Sequence, residues 1–474
     1  LQFNNSMDIE EHYINSIEAE WLFLMESLGW KTGLHEMGEL EQTQPAAVML
    51  GVEHMFLTEQ MGWKKGLKLF KERGEHAIMK ELQQIHDMEG FQPKHWFELT
   101  PKERAAALRY LMYLKEKRDG DVKQRGCADG RPQRIYTPKN ETSSPTASLA
   151  GLMLTCVIDA YEGREVATID IPGAFLQAKM PEDENDVHVV LDGRMAELLA
   201  KILPKTYQEY VYHKRGQAII YCKLNVALYG TLKAALLFWK KLTESLKLQG
   251  FTINPYDWCI ANKWINGKQC TIVWHVDDLK LSYKESSVID TIIASLRAEY
   301  EKVGKMTVRR GKVHDYLGMT LDFSISGKFT VSMEKYLDDV IAKLPDDMNG
   351  TALSPAAEHL FRTRDSTKKL DKEQAMLFHH VTAQLLFACK RGRPDLQTAV
   401  SFLCTRVKEP DQDVYKKLAR VIRYIRRTKF LCLTMEASHL DQNHWYIDGA
   451  FAVHNDMKSH SGSYMTFGRG MMYG

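Results

Sequence analysis

Two adjacent aspartates interrupt an apolar, β-branched segment, and this feature restricts the fold more than any other. The segment is CTIVWHVDDLKLSY, residues 270–283, with Asp277 and Asp278 at its centre. Side chains alternate between the faces of a strand, so a continuous strand would bury at least one carboxylate. An unpaired buried carboxylate is unfavourable, and two neighbouring carboxylates also repel each other. The pair therefore predicts a tight turn between two strands, with both carboxylates facing a cation.

A third aspartate, Asp170, ends the strand-like segment EVATID. Three carboxylates at strand ends can meet in an antiparallel sheet. Magnesium prefers oxygen ligands and takes one or two carboxylates together with substrate phosphates, and a pair of such ions can drive phosphoryl transfer. The residues alone leave an alternative open, in which Asp170 ends a turn and Asp277-Asp278 form a solvated turn.

The length of 474 residues predicts two or more subdomains. Eight scattered cysteines without a C-x-x-C pair favour reduced thiols over a disulfide framework or zinc ribbon. The chain has no apolar run of membrane-spanning length, and its start lacks both Met and a signal peptide. We therefore expect an intracellular piece of a longer chain, with no membrane partner.

The hydrophobic pattern predicts an α+β fold with helices around an antiparallel sheet. Between Met61 and Gly90 we expect a helix pair, then a helix with Thr100 as N-cap, and then a hairpin turning at Asp119-Gly120. A strand pair at 313–333 precedes a mainly helical region. A further helix is expected to bury one face, formed by Leu232, Leu236, Trp239, Leu242 and Leu246.

Five ordered motifs resemble those of copia-type LTR-retrotransposon reverse transcriptases. They are VATIDIPGAFLQA, ALYGTLKAALLFWKKL, WHVDDLKLSY, VHDYLGM and RPDLQTAVSFLCTRV. The resemblance covers roughly residues 115–429 and implies a right-hand polymerase with fingers, palm and thumb. It implies that Asp170 and Asp277 are the principal ligands of catalytic magnesium, or manganese, with Asp278 as the third carboxylate.

The same resemblance assigns the incoming nucleotide to three residues. Phe175 matches the aromatic residue that lies against the nucleotide sugar and excludes a 2′-hydroxyl, and its alternative role is a core aromatic. Lys123 and Arg125 match the basic fingers strand that reaches the triphosphate, and their alternative is a solvated hairpin face. Two departures are noted: His275 replaces the usual tyrosine before V-D-D, and the motif from Tyr229 to Trp239 is altered.

Two further sites are expected in the C-terminal part. The helix YKKLARVIRYIRRTK contains no acid, and we expect it to bind duplex phosphates through a broad basic face, although a solvated helix is the alternative. The residues of this face are Lys416, Arg420, Arg423 and Arg427. Asp448 matches the first catalytic aspartate of a ribonuclease H-like domain, whose other acids are not in the chain.

We therefore expect a linker at 1–60, fingers and palm at 61–345, a helical thumb or connection at 346–435, and a truncated ribonuclease H-like start at 440–474. The expected function is RNA-directed DNA polymerisation, with an RNA template, a DNA primer, dNTPs and other segments of the same polyprotein as partners. The expected location is a cytoplasmic virus-like particle or the nucleus. The alternatives are a decayed element that binds nucleic acid without polymerising, and a metal-dependent nuclease or phosphatase.

Overall fold

The protein, represented by a computed structural model, is described over residues 61–474 except for 117–119, 139–141, 182–185, 303, 364–366, 454–456 and 458. The predicted linker at 1–60 lies outside the described residues. Helices combine with mainly antiparallel sheets, which confirms the α+β class.

The described helices, in chain order, are α1 (Trp63–Asp87), α2 (Pro101–Ala106), α3 (Leu149–Glu162), α4 (Arg194–Ile202), α5 (Pro204–Tyr207), α6 (Ala234–Leu248), α7 (Ser286–Tyr300), α8 (Glu334–Ile341), α9 (Lys372–Arg391), α10 (Gln397–Cys404) and α11 (Gln412–Thr428). The described strands are β1 (Met61–Gly62), β2 (Phe91–Lys94), β3 (Leu108–Glu116), β4 (Val122–Ala128), β5 (Glu165–Asp170), β6 (His188–Asp192), β7 (Tyr212–Lys214), β8 (Gln217–Leu224), β9 (Thr252–Ile253), β10 (Ile260–Ile265), β11 (Lys268–His275), β12 (Asp278–Tyr283), β13 (Thr307–Gly311), β14 (Val313–Tyr316), β15 (Met319–Asp322), β16 (Lys328–Ser332), β17 (Cys432–Ala437), β18 (His444–Ala450), β19 (His460–Thr466) and β20 (Gly468–Arg469).

The first sheet has the strand order β1-β3-β6-β8-β2, with β4 paired to β3 and β7 paired to β8. The expected hairpin is present as β3 and β4, although Asp119 of its turn lies outside the described residues.

The expected helix pair corresponds to two helical segments of α1, which meet at Lys71, where φ is 50°. α1 packs closely on β3, because a Cβ at Gly66 would lie 2.6 Å from Cδ1 of Leu114. Thr100 caps α2 as expected, in a capping box with Glu103.

The second sheet has the order β13-β5-β12-β11-β10-β9, and all of its neighbouring strands are antiparallel. One face packs on α6 and α7, and Leu279 and Leu281 of β12 are fully buried there. The predicted buried face of α6 is wrong in part. Phe238 is 1% exposed, whereas Leu236 and Trp239 are only half-buried. The buried positions follow the i, i+4 row through Phe238, because that row faces the sheet.

The third sheet has the order β14-β15-β16-β17-β20. The expected strand pair at 313–333 is therefore three strands, and β17 joins them after the helical region. The largest hydrophobic core lies here, between this sheet, α3 and the helices α8 to α11. β18 and β19 pair with each other as an exposed two-stranded ribbon, and Met465 of β19 also forms a bridge with Tyr473.

Candidate active site

The double aspartate lies where β11 turns into β12. His275 pairs with Asp278 across this turn, so Val276 and Asp277 are the two residues of the predicted tight turn. Val276 has a φ of 59°, a left-handed conformation that is unfavourable for a β-branched residue. The N–H of Ile171 donates a hydrogen bond of 3.1 Å to the carbonyl oxygen of Asp277. This bond ties the turn to the end of β5.

The third aspartate lies directly opposite this turn. Asp170 and Asp278 are register partners on the antiparallel strands β5 and β12. Such partners have Cα atoms about 4.5–5.5 Å apart. The structure therefore brings Asp170, Asp277 and Asp278 together at one edge of the second sheet.

The electrostatics of this edge favour the binding of a cation. The pKa of the Asp277 carboxyl is raised to about 7, mainly by burial and next by the charge of Asp278, whereas Arg125 acts to lower it. The pKa of Asp278 is raised to about 6 by burial and by the charge of Asp170, against the effect of Lys123. A divalent cation bound between these oxygens would compensate the repulsion and displace the protons.

The donor chemistry of the three carboxylates fits magnesium or manganese, which prefer oxygen ligands. In the described part of the chain, no group of three or more His, Cys, Asp and Glu side chains, these aspartates included, is arranged so that it could hold a metal ion by itself. Magnesium usually keeps several waters and takes substrate phosphates as further ligands. The site therefore fits a cation that water and substrate help to hold, rather than a closed protein cage.

Residues from the first sheet reach this edge. Lys123 and Arg125 lie two apart on β4, and their charges act on Asp278 and Asp277 as described above. The Arg125 guanidinium lies 4.9 Å from the centroid of the Tyr229 ring. That ring in turn lies 4.3 Å from the centroid of Phe175, which is 9% exposed. Arg125, Tyr229 and Phe175 thus form one column beside the carboxylates.

The segment after Tyr229 is locked to the end of β4. The N–H of Ala128 donates to the carbonyl oxygen of Tyr229 at 2.7 Å. Gly230 has a φ of 87°, and a Cβ there would lie 2.1 Å from the carbonyl oxygen of Ala128. Gln133, which is 4% exposed, accepts a hydrogen bond from the N–H of Leu232 at 3.0 Å. The sequence gives no local signal for the role of Gln133, because its partner is 99 residues away.

An open groove of about 510 Å³ adjoins Asp170 and Asp278. Arg309 on β13 lines it and opposes the rise in the pKa of Asp278. Asp315 accepts hydrogen bonds of 2.8 Å from Lys335 and lies 3.4 Å from Arg309. These charged residues were not among the predicted site residues, although alternation along β13 places Arg309 on the same face as Thr307, which pairs with Asp170.

His275 faces the same region from β11. Burial lowers the pKa of its imidazole, and the charge of Arg391 lowers it further. The Arg391 guanidinium lies 3.5 Å from the centroid of the Phe387 ring. The position that departs from the expected tyrosine therefore carries an imidazole that is harder to protonate than a solvent-exposed one.

The predicted broad basic face on α11 is not continuous. Lys416 and Arg427 are exposed. Arg420 donates to Ser354 at 3.0 Å, and Arg423 donates to the carbonyl oxygens of Asn349 and Asp347 at 2.8 and 2.9 Å. Arg420 and Arg423 thus hold the segment before α9, Arg420 through a hydroxyl and Arg423 through two carbonyl oxygens that need donors.

Asp448 lies in the exposed strand β18 and accepts a hydrogen bond of 2.9 Å from the N–H of Gly449. Its register partner is Gly462. The ribbon therefore presents this carboxylate to solvent. Among the described helices, none is long and apolar enough to cross a membrane.

A family model described as reverse transcriptase (RNA-dependent DNA polymerase) matches residues 96–356. The retrovirus-related Pol polyprotein from transposon TNT 1-94 of Nicotiana tabacum is 23% identical over 377 residues, which are 77% of this chain and 26% of that polyprotein. The transposon Ty1-BR Gag-Pol polyprotein of Saccharomyces cerevisiae is 22% identical over 367 residues, which are 76% of this chain and 19% of that polyprotein. The chain thus spans about a quarter or less of these two relatives.

A solved structure of a foamy viral protease-reverse transcriptase in complex with double-stranded DNA is also similar. It covers 77% of this chain and 50% of its own chain, at 13% sequence identity and a TM-score of 0.42.

Proposed function

Because the chain belongs to the reverse transcriptase (RNA-dependent DNA polymerase) family, we propose that it extends a DNA primer on an RNA template, as a segment of a copia-type retrotransposon polyprotein. The family match and the Pol polyprotein relatives confirm the copia-type resemblance that the sequence motifs indicated. The observation that most supports the activity is that Asp170, Asp277 and Asp278 meet beside Lys123 and Arg125.

In this proposal the carboxylates hold divalent cations and the fingers strand holds the nucleotide. Asp170 and Asp277 would be the principal ligands of magnesium or manganese, with Asp278 beside them. The bound cations would supply Lewis acidity that favours ionisation of the primer 3′-hydroxyl and neutralises charge at the α-phosphate. Lys123 and Arg125 would bind the triphosphate of the dNTP. Their positive charges would also reduce the electrostatic repulsion between the phosphates and the three carboxylates.

Phe175 is proposed to select the sugar of the nucleotide. Its ring is held in place by Tyr229, so it would present a fixed surface against a 2′-hydroxyl. The variant Phe175→Val is expected to raise incorporation of rUMP relative to dTMP by at least about tenfold, because the smaller side chain leaves room for that hydroxyl. Competition between dTTP and rUTP in single-nucleotide extension measures this ratio.

The conservative variant Phe175→Tyr is the control for this prediction, and it should keep the wild-type preference for dTTP. If Phe175 is only a core aromatic, Phe175→Val would lower stability and total incorporation while the ratio of rUMP to dTMP stayed unchanged.

The exposed cations of α11 are proposed to bind the template–primer duplex. The double variant Lys416→Ala/Arg427→Ala is expected to weaken duplex binding and to reduce the slope of log affinity against log salt by about two. Fluorescence anisotropy over a salt series measures the slope. The matched double variant Arg420→Ala/Arg423→Ala should instead lower thermal stability, because these side chains bond to the segment at 347–354. Equal slopes for all three proteins would contradict the assignment.

The proposed division into subdomains places fingers and palm at 61–345, the thumb or connection at 346–435 and a ribonuclease H-like start at 440–474. The pairing of β16 with β17 would return the chain from the thumb to the third sheet. Other segments of the polyprotein are proposed partners, and a cytoplasmic virus-like particle or the nucleus is the proposed location.

Extension of oligo(dT) on poly(rA), with dTTP and magnesium, tests the proposed function. We expect the wild-type chain to lengthen the primer and to stop when magnesium is chelated. Salt-dependent duplex binding without extension would favour the decayed element, and strand cleavage without dTMP incorporation would favour a nuclease.

A further inference from the structure

The phenol of Tyr316, on β14 of the third sheet, reaches the hairpin that carries the double aspartate. Its hydroxyl donates a hydrogen bond of 3.1 Å to the main-chain carbonyl oxygen of Asp278 and lies 3.5 Å from the carbonyl oxygen of Val273 on β11. The side chain is 4% exposed, and burial holds the pKa of the phenol well above its ordinary value, so the hydroxyl keeps its proton. A residue of another sheet therefore bonds to the backbone of a candidate metal ligand.

Hydrogen bonds from two different elements hold the peptide groups on both sides of Asp278. The preceding carbonyl, that of Asp277, accepts from the N–H of Ile171 at the end of β5. The following carbonyl, that of Asp278 itself, accepts from the phenol of Tyr316. Each peptide group is planar, so the orientations of the two flanking groups determine φ and ψ of Asp278 and hence the direction of its Cβ. The two bonds together therefore fix the direction in which this carboxylate leaves the backbone.

The turn needs such restraints because its own conformation is unfavourable. Val276 has a φ of 59°, and a β-branched residue keeps such a conformation where the surrounding structure imposes it. The charge of Asp278 also raises the pKa of Asp277, which means that the two carboxylates repel each other when no cation lies between them. Both effects favour a relaxed turn in the metal-free protein, and the hydrogen bonds from neighbouring elements oppose that relaxation.

The strand β14 also contacts the strand that carries Asp170. His314, two residues before Tyr316, is 1% exposed, and its Nε2 donates to the carbonyl oxygen of Gly311 at 2.9 Å. The Nδ1 atom of the same ring lies 3.3 Å from Oγ1 of Thr168. Thr168 precedes Asp170 by two residues on β5, so both side chains lie on one face. β14 therefore contacts both strands that carry the carboxylates.

We propose that Tyr316 is a positioning residue for the candidate metal site, and that its hydrogen bond to Asp278 keeps the turn in the conformation that presents Asp277 and Asp278 beside Asp170. This rests on the proposed function, in which these carboxylates hold divalent cations. Without the hydroxyl, a smaller fraction of the metal-free protein has this conformation. The apparent affinity for a cation falls in proportion to that fraction.

The variant Tyr316→Phe tests this role because it removes the hydroxyl and keeps the ring. Binding of Mn²⁺ alone, measured by electron paramagnetic resonance from the loss of the free-ion signal, needs neither dNTP nor nucleic acid. The part of this binding that Asp277→Asn abolishes defines the site. We expect the dissociation constant of that part to rise about tenfold in Tyr316→Phe, the upper end of what one ordinary hydrogen bond contributes. In metal-free buffer, amide hydrogen exchange at 276–279 should be faster than in wild type.

The matched control is Tyr283→Phe, which removes a phenol hydroxyl from the far end of β12. Tyr283 is also buried, and its hydroxyl donates to the carbonyl oxygen of Ile265 at 2.7 Å. Both variants should lower the midpoint of urea unfolding by similar amounts, because each loses one buried hydrogen bond to a main-chain carbonyl. Tyr283→Phe should nevertheless keep the wild-type affinity for Mn²⁺ and the wild-type exchange at 276–279.

The inference is overturned if Tyr316→Phe binds Mn²⁺ as tightly as wild type, or if wild type shows no binding that depends on Asp277. Primer extension over a magnesium series, on the same preparations, tests the proposed function separately. We expect the magnesium concentration for the half-maximal rate to rise about tenfold in Tyr316→Phe, in parallel with the dissociation constant. Mn²⁺ binding that weakens as expected, together with a wild type that extends no primer, would support the positioning role and contradict the polymerase proposal.

Discussion

The variant Asp277→Asn is expected to lose at least about three orders of magnitude in primer extension and, at the same time, to be more stable than wild type. In metal-free buffer at pH 7.5 the gain in the free energy of unfolding should be about 2 kcal/mol. The physical reason is that Asp277 is a buried carboxyl beside Asp278, with a pKa raised to about 7. An amide of the same shape removes the repulsion together with the metal ligand.

The sign of the pH dependence follows from the raised pKa. The unfolded chain releases the Asp277 proton near the ordinary aspartate pKa of 3.8, whereas the folded chain keeps it up to about 7. The folded state therefore binds more protons over this window, and wild-type stability should fall as the pH rises through it. Asp277→Asn should lose the Asp277 part of this slope and keep the smaller part from Asp278, whose pKa is raised to about 6, and the two proteins should approach each other at pH 4.

Urea unfolding with EDTA at pH 5 and pH 7.5 measures this effect. The control is Asp315→Asn, which removes a carboxylate that accepts two hydrogen bonds of 2.8 Å from Lys335 and which should give no gain in stability. A variant Asp277→Asn that is less stable than wild type at pH 7.5 would show that the carboxylates are not in electrostatic conflict.

The variant Lys280→Ala is expected to lower the free energy of unfolding by about 3–5 kcal/mol. Lys280 lies two residues after Asp278 on β12, and its ammonium forms an ion pair with Asp159 of α3. Both side chains are completely buried. Within the described residues, truncation of Lys280 leaves the Arg164 guanidinium, 3.6 Å away, as the remaining ionic partner of Asp159.

The double variant Lys280→Met/Asp159→Leu is the matched control, because replacing both charges by apolar side chains removes the unpaired carboxylate. It should recover most of the stability that Lys280→Ala loses. Urea unfolding at pH 7 gives both values. A loss below about 1 kcal/mol for Lys280→Ala, which is typical of an exposed pair, would mean that water reaches this pair.

Local chemistry made part of the site predictable. The two adjacent carboxylates in an apolar segment required a turn, and the structure has that turn at Val276-Asp277. The Thr100 cap and the β3–β4 hairpin were likewise predictable, because their partners lie within a few residues along the chain.

Features that depend on distant contacts were not predictable in this way. Lys280 lies in an apolar strand and gives no sign of its partner Asp159, which is 121 residues away. The helix α11 has a basic sequence, but only the packing of the preceding segment determines that Arg420 and Arg423 are engaged while Lys416 and Arg427 are exposed. The alternation of a helix or strand shows which residues share a face, and the tertiary fold decides what that face meets.

The central claim is that the carboxylates at the β5 and β12 ends catalyse DNA synthesis on an RNA template. Single-turnover incorporation of one dTMP, with magnesium, tests it most directly when wild type, Asp277→Asn and Asp448→Asn are compared on the same primer and RNA template. We expect equal rates for wild type and Asp448→Asn, which alters an exposed carboxylate of the ribbon, and no incorporation by Asp277→Asn. Incorporation by Asp277→Asn at the wild-type rate would contradict the claim.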